Sequence, residues 1–162
     1  MTVLLAGPEV EKDAVLSQCR RYRYQLTRTW DGELPTVAFV GLNPSTADAT
    51  LDDPTVRRCI GFARDWGFGA LVLVNLFALR STEPSKLYSA REPVGPENDR
   101  WLRLAEVNAA TMVAAWGAHG GLLGRDQVVR GLIPTLKCLG RTRDGHPRHP
   151  LYLSKSTSLE EF

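Results

Sequence analysis

Short continuous apolar runs alternate along this chain with segments whose apolar residues recur every three or four positions, and that alternation predicts an α/β domain with a mainly parallel sheet. Thr36-Val37-Ala38-Phe39-Val40, Ala70-Leu71-Val72-Leu73-Val74 and Thr111-Met112-Val113-Ala114-Ala115-Trp116 read as strands buried on both faces, and Thr135-Leu136-Lys137-Cys138-Leu139 as a fourth. Upstream, after a short helical or irregular start, Tyr22-Arg23-Tyr24-Gln25-Leu26-Thr27 alternates with the period of a strand and is followed by an Asp31-Gly32 turn. A helix is predicted from Asp52-Asp53-Pro54-Thr55 to Trp66-Gly67, with Asp53 as N-cap, Pro54 at the first helical position and Val56, Ile60, Ala63 and Trp66 on one face. A second opens at Pro96-Glu97-Asn98-Asp99-Arg100, and a third lies between Leu122 and Leu132.

Composition sharpens this reading by exclusion. With 162 residues, 43% hydrophobic and 23% charged, the chain suits one globular domain over 1–162 and excludes disorder and fibrous repeats. No apolar run approaches the roughly 18 to 20 residues of a membrane span, and the opening MTVLLAGPEVEKD turns acidic before a signal-peptide core is complete. A cytoplasmic protein without a membrane partner is expected. Cys19, Cys59 and Cys138 are odd in number and form no CxxC or Cys/His ligand spacing, so they read as buried thiols rather than a disulfide framework or a metal site. Arg outnumbers Lys 16 to 4, and Arg favours bidentate phosphate and carboxylate contacts, but a net charge of +2 does not demand nucleic acid.

In parallel sheets, ligands sit beyond the carboxyl ends of the strands. Those ends carry GLNPS, NLFALRST, WGAHGG and GRTRDGHPRHPLYL, which together supply amide, hydroxyl and imidazole groups suited to a planar, amide-like ligand. A Walker GKS/T, a GxGxxG after the first strand, a GxSxG elbow and an HExxH are all missing, so no metal or cofactor is expected.

The order of these landmarks resembles that of the uracil-DNA glycosylase superfamily: Gly41-Leu42-Asn43-Pro44-Ser45, Leu73-Val74-Asn75-Leu76-Phe77-Ala78-Leu79-Arg80, Ala115-Trp116-Gly117, then His149-Pro150-Leu151. A narrower resemblance, over nearly the whole chain, is to a family of small bacterial and phage proteins without assigned activity, marked by RYxLxR, GLNPSTAD and HPLYL. The first resemblance implies a three-layer sandwich with a four- to five-stranded sheet. It also implies a protein that recognises a flipped base in DNA and hydrolyses its N-glycosidic bond.

On that resemblance His149 is the donor to the departing base, Asn43 holds the attacking water and Asn75 reads the base edge. Gly41, Leu42, Pro44, Ser45 and Phe77 shape the base pocket, while Arg141, Arg143, Arg148 and Leu151 engage DNA. In the superfamily's efficient members an Asp stands where Asn43 stands here. An amide orients water but carries no charge, which implies slow chemistry or another electrostatic partner, and Asp48, Asp52 and Asp53 follow closely enough to supply one.

Plainer readings stand beside these. Asp52 and Asp53 cap the next helix, Asn75 satisfies turn backbone groups, and Arg21, Arg23 and Gln25 form the solvated face of a strand whose Tyr22, Tyr24 and Leu26 are buried. Two His-Pro pairs compete for one role, so His146 and His149 both remain candidates, and His119 reads as a loop residue. A non-catalytic base-binding module and an enzyme acting on a free nucleobase, nucleoside or nucleotide remain alternatives to the glycosylase, as do monomer and two-fold dimer.

Overall fold

A computed structural model describes residues 9–162; the first eight residues, where the expected helical or irregular start begins, lie outside the described residues. Among the described residues one sheet comprises β1 (Glu11–Leu16), β2 (Arg23–Thr29), β3 (Thr36–Gly41), β4 (Ala70–Asn75), β5 (Thr111–Ala114), β6 (Lys137–Cys138) and β7 (Glu160–Glu161). Their order is β1-β2-β4-β3-β5-β6-β7. The central β4, β3, β5 and β6 run parallel, whereas β1, β2 and β7 pair antiparallel. The sheet is therefore mixed and seven-stranded, not the mainly parallel four- to five-stranded sheet expected.

The additional strands escape a hydrophobicity reading for a physical reason. Edge strands bury little, and β1 begins with three exposed residues while both glutamates of β7 are exposed. Where a helical or irregular start was expected, Glu11–Leu16 form an edge strand, and the C-terminal tail closes the opposite edge. The expected strand over Thr135–Leu139 contracts to the two residues of β6.

Helices α1 (Pro54–Asp65), α2 (Lys86–Ser89), α3 (Asn98–Asn108) and α4 (Arg125–Leu132) complete the fold. Alternate residues of each central strand enter different cores. Val37, Phe39, Leu71, Leu73 and Val113 pack with Val56, Cys59, Phe62 and Ala63 of α1. Ala38, Val40, Val74, Met112 and Ala114 pack with Leu102, Ala105, Val129 and Ile133 of α3 and α4. Burial on both faces is why β3, β4 and β5 read as unbroken apolar runs. α1 starts where expected: Asp53 Oδ1 accepts a hydrogen bond from the Val56 amide at 2.8 Å and Pro54 opens the helix.

β2 departs from its expected pattern. Arg21 is exposed, but Arg23 and Arg28 are buried, at 2% and 0% exposure. The β1–β2 register pairs Val15 with Gln25 and Leu16 with Arg23, leaving Tyr24 as an extra residue on β2. A bulge of this kind re-aims side chains, and here simple alternation ends. Arg28 is buried because the loop between β3 and α1 folds over it: it donates to Asp52 Oδ1 at 2.7 Å and to the carbonyls of Asp13, Thr27, Asp48 and Leu51.

Candidate functional site

The chain leaves β3 toward β4 on one side and returns across it to β5 on the other, so the strand order reverses at β3. Such a reversal opens a crevice at the carboxyl ends of the strands. An open cleft of about 490 Å³ lies there, within the size range of small-ligand sites. Gly41, Leu42, Asn43 and Ser45 after β3, Asn75 at the end of β4 and Trp116 to His119 after β5 contribute to its wall. His149 to Tyr152 and the start of α1, Asp53 and Thr55, complete it.

The end of β4 is fixed from behind. Asn98 of α3 donates to the carbonyls of Asn75 and Leu76 at 2.9 and 3.1 Å, and Arg125 of α4 donates to the Leu76 carbonyl at 3.0 Å. Asn75 is 3% exposed, and its Oδ1 accepts from Arg23 Nη2 at 3.5 Å, which leaves Nδ2 as the group without a protein acceptor. Gly41 lies beside it in the register, and a Cβ on Gly41 would come within 2.8 Å of Asn75 Nδ2. Gly41→Ala is therefore expected to cost about 1–2 kcal/mol in urea unfolding, by pushing the Asn75 amide out of its place. Gly61→Ala, on an exposed position of α1 where a Cβ meets nothing, should stabilise by about 0.5–1 kcal/mol.

Asn43 acts largely on its own loop. Its Nδ2 donates to the carbonyls of Ser81 at 2.9 Å, Pro44 at 3.1 Å and Leu79 at 3.4 Å, stapling the β3 loop to the segment after β4. Of the three acids near that loop, Asp52 is taken by Arg28 and Lys12, and Asp48 closes a turn on Thr50 and Leu51. Asp53 is the one that lines the cleft. Its Oδ1 caps α1, and its Oδ2 has no donor among the described residues.

His149 is held in one tautomer. Its Nδ1 accepts from the Leu151 amide at 3.2 Å, so the neutral ring carries its proton on Nε2. Arg58 of α1 donates to the Leu153 carbonyl, and the Gly117 amide donates to the Pro147 carbonyl at 3.0 Å; these bonds tie the His-Pro segment to α1 and to the end of β5. Burial pushes the imidazole below its ordinary range, with the Asp53 charge opposing more weakly. Because the folded ring resists protonation while the unfolded one titrates near 6.5, its contribution to stability is present above about pH 6.5 and falls away as pH drops toward the folded value. His149→Gln is expected to flatten that part of the pH–stability curve, measured by urea unfolding from pH 7.5 to 5. Cys59 also lines the cleft, but burial pushes its thiol up, so it is no nucleophile at neutral pH.

The cleft brings together Asn43, His149, Gly41, Leu42, Ser45, Asn75 and Leu151. Other candidates lie elsewhere. Phe77 is fully buried in the core beneath α3, and Pro44 is buried with its carbonyl receiving the Ser81 amide. Arg141, Arg143 and Arg148 are exposed but do not line the cleft: Arg148 Nε donates to the Arg141 carbonyl at 3.1 Å, and the Arg141 guanidinium sits 5.0 Å from the Phe162 ring. Of the two His-Pro histidines, only His149 faces the cleft; His119 does too. Contrary to the expectation of buried thiols, Cys19 is exposed, while Cys59 and Cys138 are buried. Among the described residues no helix is long and apolar enough to cross a membrane, and no cluster of His, Cys, Asp or Glu could hold a metal ion.

Arg23 and Tyr152 stand out among the lining residues that the sequence leaves without a role in the site, which also include Thr55, Cys59 and Pro84. Arg23 was assigned to a solvated face, and Tyr152, 86% exposed with its ring 6.1 Å from that of His149, was given no role. Both sit inside short motifs already noted, Arg23-Tyr24-Gln25-Leu26-Thr27-Arg28 and His149-Pro150-Leu151-Tyr152-Leu153, which was the available signal.

A family model described as a protein of unknown function, DUF1643, matches residues 23–151. The chain belongs to the DUF1643 family. No curated protein and no solved structure matches the chain. The DUF1643 match opens on Arg23 and closes on Leu151, so it contains every lining residue of the cleft except Tyr152. Neither this match nor the other comparisons link the chain to the uracil-DNA glycosylase superfamily, a likeness that rests on the ordered motifs alone.

Proposed function

We propose that the cleft recognises a nucleobase and hydrolyses the N-glycosidic bond that joins it to a sugar, acting on a base flipped out of DNA or on a free nucleoside or nucleotide. The observation that carries this reading is the meeting, in one cleft, of a single carboxylate, Asp53, and a neutral imidazole donor, His149, beside the buried amide of Asn75. Cleavage of a glycosidic bond separates charge, leaving a cationic sugar and an anionic base. Asp53 supplies the negative charge that Asn43 lacks.

In this scheme Asn75 Nδ2 donates to an acceptor on the base, and Asn43 Oδ1, which has no protein donor, orients a water. The water oxygen bonds to the anomeric carbon as the C–N bond breaks and its electron pair leaves with the base. Asp53 Oδ2 takes the proton from the water and returns it to solvent, while His149 Nε2–H stays on its ring and donates a hydrogen bond to the departing base anion, which then takes a proton from solvent. The sum is one water consumed, one free base and one free sugar hydroxyl formed, with no external oxidant or reductant. A proton transfer of this kind is worth about 10²–10⁴-fold.

The test is release of free base, assayed by chromatography from nucleosides and nucleotides and by alkali cleavage of abasic sites in end-labelled oligonucleotides. The oligonucleotides carry uracil, hypoxanthine, xanthine or hydroxymethylated bases, as single strands and mismatched duplexes. Base release that vanishes in His149→Ala while the fold persists supports the reading. Salt-sensitive retention of DNA without release would leave a binding module, and neither release nor retention from any substrate would overturn base recognition.

A further inference from the structure

Arg23, Arg28 and Arg125 are buried among the described residues. Two of them are fully answered. Arg28 has Asp52 and four carbonyls, and Arg125 pairs with Asp99 at 2.8 Å while donating to the Leu76 carbonyl. Arg23 has no carboxylate within ion-pair distance: its Nη1 donates to the Ala47 carbonyl at 2.9 Å, its Nη2 reaches only Asn75 Oδ1 at 3.5 Å, and its buried Nε has no acceptor. It is the one of the three that lines the cleft.

An unpaired guanidinium is costly to bury, and a native structure keeps one where something else completes it. Burial pulls the Arg23 group down to about 10, with Asp53 opposing from a distance and Arg80 and Arg28 adding to the fall. Donors stand close by. Arg23 occupies Asn75 Oδ1, so the Asn75 amide presents Nδ2, and the hydroxyls of Ser45, Thr55 and Thr82, which line the cleft and can each donate, make no hydrogen bond among the described residues. A ligand N–H has no acceptor at Arg23, whereas an oxyanion would satisfy the orphaned Nε and the unpaired charge together.

We infer that Arg23 forms an oxyanion subsite on the inner wall of the cleft, next to the base-reading Asn75, and that it takes the phosphate or carboxylate group of the bound ligand. This builds on the nucleobase reading and narrows it to a base-bearing small molecule with a free acidic group, in the first instance a nucleoside monophosphate, rather than a base within a polymer. Arg supplies the planar fork that such groups match.

The experiment has two arms. In the first, thermal unfolding of the wild-type chain is followed in inorganic phosphate, acetate and chloride at matched ionic strength. Phosphate is expected to raise Tm saturably by a few degrees over chloride, as a ligand of the folded state must. A rise with acetate alone would assign the subsite to a carboxylate. Arg23→Gln should abolish the rise, and Arg23→Lys, which keeps the charge without the fork, should reduce it. If neither variant folds, the wild-type series decides.

In the second arm, calorimetric titration compares deoxynucleosides, deoxyuridine and deoxyinosine among them, with their 5′-monophosphates, and at least one monophosphate should bind tenfold tighter or better. No anion effect beyond chloride, or a folded Arg23→Gln that keeps the full rise, overturns the subsite. Nucleosides binding as tightly as their phosphates would overturn it while leaving the nucleobase reading intact. An Arg23-dependent anion effect with no binding of any nucleoside or nucleotide would do the reverse.

Discussion

Asp53→Asn is expected to slow base release by about 10²–10⁴-fold while leaving Tm close to that of the wild-type chain. The two effects separate because Asp53 has two jobs on different atoms. Its Oδ1 accepts the Val56 amide and caps α1, and Asn caps a helix about as well as Asp. Its Oδ2, which has no donor among the described residues, is where a proton from water would go in the proposed reaction, and an amide cannot accept it. Asp53→Ala removes both functions and should add a stability loss of about 1 kcal/mol. Single-turnover base release alongside thermal melts reads both quantities; full activity in the Asn variant would place the needed charge on another group.

Arg28→Met should cost about 3–5 kcal/mol in urea unfolding, a large share of the roughly 5–15 kcal/mol that holds a domain of this size together. The guanidinium is fully buried, and its removal takes a donor from the carbonyls of Asp13, Thr27, Asp48 and Leu51 and leaves the Asp52 carboxylate with Lys12 alone. Asp52→Asn should cost less, since Asp52 is partly exposed and the carbonyl bonds remain. Burial pushes the Asp52 carboxyl up, but the hydrogen bonds from Arg28 and Lys12 and their charges outweigh it, so the group lies below its ordinary range. Its stabilising contribution is therefore complete above about pH 4 and is lost as pH falls through the folded value. The loop that Arg28 clamps leads directly into Asp53, so the Arg28→Met variant should lose activity at denaturant concentrations where its helices remain folded.

The parts of this fold legible in the sequence are those in which local pattern and burial coincide. β3, β4 and β5 are apolar throughout because both faces are covered, and α1 announces itself through Asp53 and Pro54. β1 and β7 carry no such mark, since an edge strand with Glu11, Lys12 and Asp13 or Glu160 and Glu161 buries too little to need apolar residues. The strand-end loops were legible as a site because the parallel sheet gathers them at one end. Arg23 and Arg28 were not: whether an arginine is buried depends on acceptors brought in by a loop some 20 residues downstream, Ala47 and Asp48 to Asp52, and on a bulge that breaks strand alternation. Phe77 failed for a related reason, since two residues beyond Asn75 the chain has already turned from the cleft into the core.

The strand order also sets a timetable. β2 is made early, yet its partner in the central sheet is β4, which begins at Ala70, and the intervening β3 lies on the far side of β4. Until β4 arrives, Arg23 and Arg28 have no sheet to dock against and stay hydrated; closing long connections of this kind slows folding. His149, which completes the cleft, joins more than 70 residues later still. The sheet can therefore be nearly finished while the cleft does not yet exist, so that any ligand of the cleft would select the chains in which the His149 segment has docked.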